Sequence, residues 1–324
     1  MQPILPIQRL SVNVLLFDTF SNMLLACLLE PLRVVRDETH AEITWTILTQ
    51  TDAPILSSSG LRITPDMPRA KAATCDILIV IGGDQFRADA RDPALKQSLR
   101  LTKRAKTVIA ADTGTWLLAA AGYLDGRRAT LHWQLLAEFA EAFPHVSVVS
   151  DRYVQDGPFL TCGGASTALD LILAQISDRF GQMAKFDAAS MFLHDLARPN
   201  LPPDQTGGIS SNAPLALRKI LTLMASRLEQ PMSLKDLARE TGITLRTMSR
   251  LFSDQVGMAP GQYYQHLRLT RARDLASHTN LPLGQIALRC GFSGASALSR
   301  AFSQRYGLSL GAATQRRQVK AGTC

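Results

Sequence analysis

One pattern occurs twice in the last third of the chain, and it constrains the fold more than any other feature. Leu234-Lys235-Asp236-Leu237-Ala238-Arg239-Glu240-Thr241-Gly242 continues to Ser249-Arg250-Leu251-Phe252 and Gly257. Leu283-Gly284-Gln285-Ile286-Ala287-Leu288-Arg289-Cys290-Gly291 continues to Ser299-Arg300-Ala301-Phe302 and Gly307. The copies are offset by 49 residues up to the glycine and by 50 beyond it, so the second turn carries one extra residue. Each copy reads as a short helix stopped by glycine, a tight turn, and a second helix stopped by glycine. That is the pattern of a helix-turn-helix unit, whose second helix can enter a DNA major groove. The two units span 233–257 and 282–307, and a tandem pair implies double-stranded DNA as a partner.

Charge supports the same partner. Residues 216–324 hold 16 Lys/Arg and 5 Asp/Glu, a net of +11, whereas the whole chain is +8. Residues 1–215 therefore carry a net of −3, from 19 basic and 22 acidic groups. A solubilising surface alone does not explain this asymmetry, because the acidic part lacks the bias. A basic segment attracts a polyanion, and each phosphate it neutralises adds roughly 0.9 to the salt slope of binding.

A chain of 324 residues is too long for one ordinary core and predicts two or three domains. Pro199-Asn200-Leu201-Pro202-Pro203-Asp204-Gln205-Thr206-Gly207-Gly208 and the polar stretch on to Pro214 have no apolar period, the mark of an exposed linker. The expected division is a domain at 1–197, a linker at 198–214 and a DNA-binding domain at 215–324. Apolar runs are interrupted well before the about 18 residues that span a bilayer, which predicts no membrane association. The N-terminus, Met1-Gln2-Pro3-Ile4-Leu5-Pro6, has no basic and apolar signal pattern, so the expected location is cytoplasmic. Cys27, Cys75, Cys162, Cys290 and Cys324 are scattered, so neither disulfides nor a zinc site is expected.

The first part alternates apolar runs (Val12–Phe17, Thr44–Thr49, Ile77–Ile81, Val108–Ala110) with amphipathic stretches (Asn22–Arg36, Pro93–Arg104, Thr113–Ala121). Nearly continuous apolar runs fit parallel strands covered on both faces. The predicted fold class is an α/β layered N-terminal domain with a mostly parallel sheet, followed by an all-α C-terminal domain with two helix-turn-helix units. Ligands of such sheets bind at the carboxyl ends of the strands. That places a candidate pocket at Asp18-Thr19-Phe20, Gly82-Gly83-Asp84, Asp112-Thr113-Gly114 and His132-Trp133.

These residues carry a resemblance. Gly257-Met258-Ala259-Pro260-Gly261-Gln262-Tyr263-Tyr264, Leu267-Arg268-Leu269-Thr270-Arg271-Ala272-Arg273 and Cys290-Gly291-Phe292-Ser293 resemble the signature of AraC/XylS-type transcription regulators. Gly122-Tyr123-Leu124-Asp125-Gly126 through His132-Trp133, with Thr161-Cys162-Gly163-Gly164 and Leu169-Asp170, resembles the PfpI-like, class I glutamine amidotransferase-like domain. Together they resemble the GlxA-like branch. The resemblance implies a transcriptional activator that responds to a small amine or quaternary-ammonium effector. It further implies a homodimer, RNA polymerase as a partner, and no cofactor.

In the first unit Ser233 and Thr244 are expected N-caps. Met248, Leu251 and Phe252 fall on one side of the recognition helix Leu245–Val256; Arg246, Ser249 and Arg250 fall on the other. Arginine suits guanine O6 and N7 through two parallel hydrogen bonds. The second recognition helix, Gly294–Tyr306, offers Ser296, Ser299 and Arg300, which suits positioning and phosphate contact more than base discrimination. Between them Gly261–Ser277 reads as one long helix, with Leu267, Leu269, Ala272, Leu275 and Ala276 as packing positions. Such a connector places the two recognition helices about 34 Å apart in successive major grooves. Arg268, Arg271 and Arg273 on it fit either structural or phosphate contacts.

PfpI-like enzymes carry a cysteine nucleophile on the turn after a strand, where this chain has Asp112. A carboxylate cannot act as a thiolate, so the domain is expected not to be an enzyme. The helix dipole is expected to keep Asp112 ionised. The candidate ligand set is Asp18, Gly82, Gly83, Asp112, Thr113, Trp116, His132 and Trp133, an anionic and aromatic pocket for a cationic metabolite. The alternatives are a cysteine-independent amidase with a DNA-binding tail and a ligand-independent DNA binder.

Overall fold

The computed structural model describes residues 8–39, 41–192, 215–307 and 309–311. The linker expected at 198–214 lies outside them. The chain divides into two compact units, one drawn mainly from residues up to Arg36 and from 41–188, the other mainly from the C-terminal part.

The first unit is a six-stranded sheet in the order β2-β1-β3-β4-β6-β5. Its strands are β1 (Arg9–Leu16), β2 (Glu42–Thr49), β3 (Cys75–Ile81), β4 (Ala105–Ala111), β5 (Tyr153–Asp156) and β6 (Phe159–Cys162). All neighbours run parallel except the β5–β6 hairpin at the edge. Ile77 through Ile81 are fully buried, as a strand covered on both faces must be. Helix α1 (Asn22–Glu38) buries Leu24, Leu28, Leu32 and Val35, a stripe at helical spacing. Strand order reverses at β1, with β2 on one side and β3 on the other, which makes the β1–β3 carboxyl ends the switch point where ligands of open α/β sheets sit.

The chain departs from its sequence pattern at 93–104. One α-turn (Leu95–Ser98) passes into 3-10 helix (Leu99–Arg104). Ser98 Oγ donates to the Ala94 carbonyl (3.2 Å) and Thr102 Oγ1 to the Leu99 carbonyl (2.7 Å), so side chains compete for acceptors a regular helix would use. The hairpin turns at Gly157-Pro158, with Gly157 at φ +59°. Helix α2 (Gly114–Ala120) follows β4, and α3 (Ala165–Phe180) follows β6. At the start of α3 the Gly164 N–H donates to Thr167 Oγ1 (2.9 Å), so a threonine inside the helix caps a residue that has no side chain.

The described elements of the second unit are helical. Helix α4 (Leu215–Ser226) buries Leu217, Ile220 and Met224. The first helix-turn-helix is α5 (Leu234–Glu240) and α6 (Leu245–Gln255); α7 (Pro260–His278) connects it to the second, α8 (Leu283–Arg289) and α9 (Ala295–Tyr306). Met248 and Phe252 of α6 are fully buried, and Phe252 packs edge-on against Tyr263 of α7, ring centroids 5.5 Å apart. Leu251 is only half-buried. The second unit builds its core from Leu269, Ala272 and Leu275 of α7 with Ile286, Leu298 and Phe302. Each half of α7 thus serves a different helix-turn-helix. Leu267 and Ala276, expected at packing positions, are half-buried.

Candidate functional site

The first recognition helix is set by its caps. Ser233 Oγ accepts from the Asp236 N–H (3.2 Å) and Thr244 Oγ1 from the Thr247 N–H (3.1 Å), fixing the start of each helix of the unit. With Met248 and Phe252 inward, Arg246, Ser249 and Arg250 are exposed on the outer face. In the second unit Ser296 and Arg300 are exposed and Ser299 is half-buried. The extra residue of the second turn leaves Gly294, without a side-chain cap, at the position Thr244 holds in the first.

The two turn glycines occupy equivalent positions in unequal surroundings. Gly242 has φ +71° and open space where a Cβ would stand. Gly291 has φ +72°, and a Cβ there would lie 2.6 Å from the Leu228 carbonyl oxygen and 2.6 Å from Pro231 Cδ. Gly242→Ala should cost only the left-handed penalty, ~1–2 kcal/mol. Gly291→Ala adds a clash with backbone and should lower the melting midpoint at least twice as far, which a thermal melt of the two variants checks.

The connecting helix answers what its arginines do. Arg268 donates from Nε to the Cys290 carbonyl (2.8 Å) and from Nη2 to the Gly291 carbonyl (2.6 Å), and lies 4.1 Å over the Phe292 ring. It is a structural partner. Arg273 lies over Tyr306 at 5.5 Å, and Arg271 is exposed.

In the first unit the strand ends meet at short range. Phe17 donates its N–H to the Ile81 carbonyl (3.1 Å), and Phe20 bridges to Gly83. The loops approach so closely that a Cβ on Gly83 would lie 1.8 Å from the Asp18 carbonyl oxygen, and one on Gly82 would lie 2.4 Å from Thr113 Oγ1. Thr113 Oγ1 also donates to the Gly83 carbonyl (3.2 Å). Asp112 sits on the elbow after β4 in the left-handed region, φ +55°, its N–H bonded to the Cys162 carbonyl (2.9 Å). A non-glycine residue there is strained and needs support from its surroundings.

Electrostatics around Asp112 extend the site. Burial pushes its carboxyl up; His132 favours the charged form, Asp84 opposes it, and the Thr113 N–H favours it again. Desolvation acts on the carboxyl directly, against the pull of the helix N-terminus that α2 presents two residues later. Asp84, part of the expected Gly82-Gly83-Asp84 pocket segment but outside the candidate ligand set, joins that set through its charge. His132 lies beside Gly163-Gly164, whose closeness to the Leu131 carbonyl leaves no room for a Cβ at 163.

Trp133 is 58% exposed, its ring centroid 5.9 Å from that of His132. Trp116 is corrected: it is 6% exposed, packed against Phe86, Phe139 and Phe143 at centroid distances of 5.1–5.6 Å, and so lies in the core. Its helical spacing on α2 turns it to the apolar side. Asp18 is exposed, and its Oδ1 accepts from the Leu56 N–H (2.9 Å), so part of its capacity is used in holding its own loop. The structure thus groups Asp112, Thr113, Gly82, Gly83 and His132, with Asp84 added. Cys162, whose carbonyl accepts from the Asp112 N–H, is fully buried and its thiol is pushed up to about 12, chiefly by desolvation and then by the charge of Asp112. No described helix is long and apolar enough to cross a membrane.

Comparison with known proteins fits both units. The profile of the DJ-1/PfpI family matches residues 10–178, and that of a helix-turn-helix domain matches 237–316. The HTH-type transcriptional regulator CdhR of Pseudomonas aeruginosa is 34% identical over 301 residues, 91% of this chain and 88% of that protein. The HTH-type transcriptional regulator GlxA of Rhizobium meliloti is 30% identical, covering 94% of this chain and 95% of its own length. Among solved structures, a ThiJ/PfpI family protein from Pseudomonas syringae matches with a TM-score of 0.51 at 23% identity, over 73% of this chain and 92% of that one. The chain belongs to the helix-turn-helix transcriptional regulators that join a DJ-1/PfpI domain to an AraC-type DNA-binding region.

Proposed function

We propose that this regulator senses a small cationic metabolite at the carboxyl ends of its β-strands and catalyses no reaction there. The observation that carries this reading is Asp112, a half-buried carboxylate on the left-handed elbow where a PfpI-like enzyme needs a thiolate. An acid beside His132, whose ring neighbours the exposed indole of Trp133, suits a protonated or quaternary amine, for which an exposed cation–π contact contributes ~0.5–1 kcal/mol. Arg246, Ser249 and Arg250 read bases, while Ser296, Ser299 and Arg300 hold the backbone. Ligand energy must differ between two arrangements of the protein for the signal to pass. The resemblance to the regulator branch supports activation by a homodimer on promoter DNA, in contact with RNA polymerase.

The test is a thermal-shift screen of the full chain against amines, amino acids and betaines. A true effector at about 100 times its Kd should add ~2.7 kcal/mol of stability. Asp112→Ala should weaken it about tenfold, the loss of ~1.4 kcal/mol; unchanged calorimetric affinity in that variant sinks the site. Turnover of amides or glyoxalase-type substrates by the native protein would instead favour the amidase with a DNA-binding tail. Identical promoter binding and transcription after deletion of residues 1–200 would favour the ligand-independent binder.

A further inference from the structure

A groove of about 600 Å³ separates the start of the first helix-turn-helix from the turn of the second. Its lining includes Ser233, Tyr264, Gln265, Arg268 and Phe292. On the first half of α7 Tyr263 packs against Phe252 of the first reading unit, and on the second half Leu269, Ala272 and Leu275 pack into the core of the second. Polar struts from the middle of that helix reach both sides of the groove. Tyr264 Oη donates to the Arg227 carbonyl (2.7 Å) and accepts from the Met232 N–H (3.3 Å), which ties α7 to the segment leading into the first unit. One helical turn further along, Arg268 holds the Cys290 and Gly291 carbonyls and stacks on Phe292, which ties α7 to the turn of the second. Gly291 rests against the Leu228 carbonyl and Pro231, so the second turn abuts the same segment that Tyr264 holds.

We propose that Tyr264 and Arg268 are positioning residues that set the spacing between the two recognition helices, and so make the protein selective for the distance between its two major-groove contacts. Neither residue reads a base. The selectivity is sharp because one inserted base pair rotates the second site by about 35° and moves it by about 3.4 Å. A rigid pair of readers cannot follow both changes. Arginine suits the role because its planar fork reaches two carbonyls at once, which a lysine ammonium cannot do in the same geometry.

The experiment uses the full chain and a duplex selected by it from a random library, together with one-base-pair insertions and deletions between the two contacted segments. A duplex carrying only the first unit's segment is the control, measured at low salt where weak binding is detectable. The native protein should lose about tenfold or more in affinity on either spacer change. Arg268→Ala should shrink that ratio to about threefold while binding the single-segment duplex as the native protein does. Arg268→Lys and Tyr264→Phe, which keep the stem or the ring in place, should fall between. Retention of the native spacing ratio by Arg268→Ala, or by Arg268→Lys should the alanine variant fail to fold, overturns the proposal. So does a parallel loss on the single-segment duplex, because the residue would then support the fold of the first reader and not the interval.

Discussion

Gly83→Ala should be the most damaging single substitution in the N-terminal unit, lowering its melting midpoint by about 10 °C or preventing its folding. The added methyl would stand 1.8 Å from the Asp18 carbonyl oxygen and 2.8 Å from Thr19 Oγ1. Neither loop has freedom to retreat. Phe17 is bonded to Ile81, Thr19 N–H to the Leu56 carbonyl (2.8 Å), and Asp84 N–H to Thr19 Oγ1 (2.8 Å). The substitution must therefore pull β1 and β3 apart at their carboxyl ends, exposing residues that are fully buried. Overpacking alone costs ~1–3 kcal/mol, and the severed loop bonds add ~1 kcal/mol each. Thermal melts of the two proteins check the size; a shift below about 3 °C would mean that the loops yield easily.

The second large effect is on DNA. Arg246 and Arg250 lie one turn apart on the exposed side of α6, whose opposite side carries the buried Met248 and Phe252. Arg246→Ala or Arg250→Ala should each weaken the selected duplex by ~1–3 kcal/mol, roughly 5- to 150-fold, and relax preference at one base pair. Replacing Arg300 should weaken all duplexes alike and reduce the salt slope by about 1. Binding isotherms at several salt concentrations separate the two behaviours. Uniform loss across sequences for both α6 variants would make them phosphate contacts as well.

Much of this architecture could be read from the chain. The doubled motif located every helix of both reading units, because glycine stops, Ser233 and Thr244 caps and the Met248/Phe252 stripe are all local signals. The parallel strands were legible for the same reason: runs such as Ile77–Ile81 need cover on both faces. What escaped depends on distance in sequence. Trp116 looked like a ligand-facing ring because it follows the elbow, yet Phe86 and Phe139, from elsewhere in the chain, enclose it. The state of Asp112 depends on burial by several loops, which no local pattern records. By its spacing Arg268 fits phosphate and protein contacts equally, and only the distant Cys290 and Gly291 carbonyls in front of it decide for protein. The β5–β6 hairpin joins two four-residue strands at Gly157-Pro158, too short for an apolar run to mark them.

The cysteines bear on what kind of stimulus this regulator can register. Cys27, Cys75, Cys162 and Cys290 all have their thiols pushed above the ordinary range by burial, Cys162 to about 12 and Cys290 to about 11. At neutral pH each of these four stays protonated, and peroxides or alkylating agents attack the anion far faster than the neutral group. Their sulfur chemistry is muted at these four positions. A ligand response at the strand ends should therefore persist under oxidants that silence a thiolate-based switch.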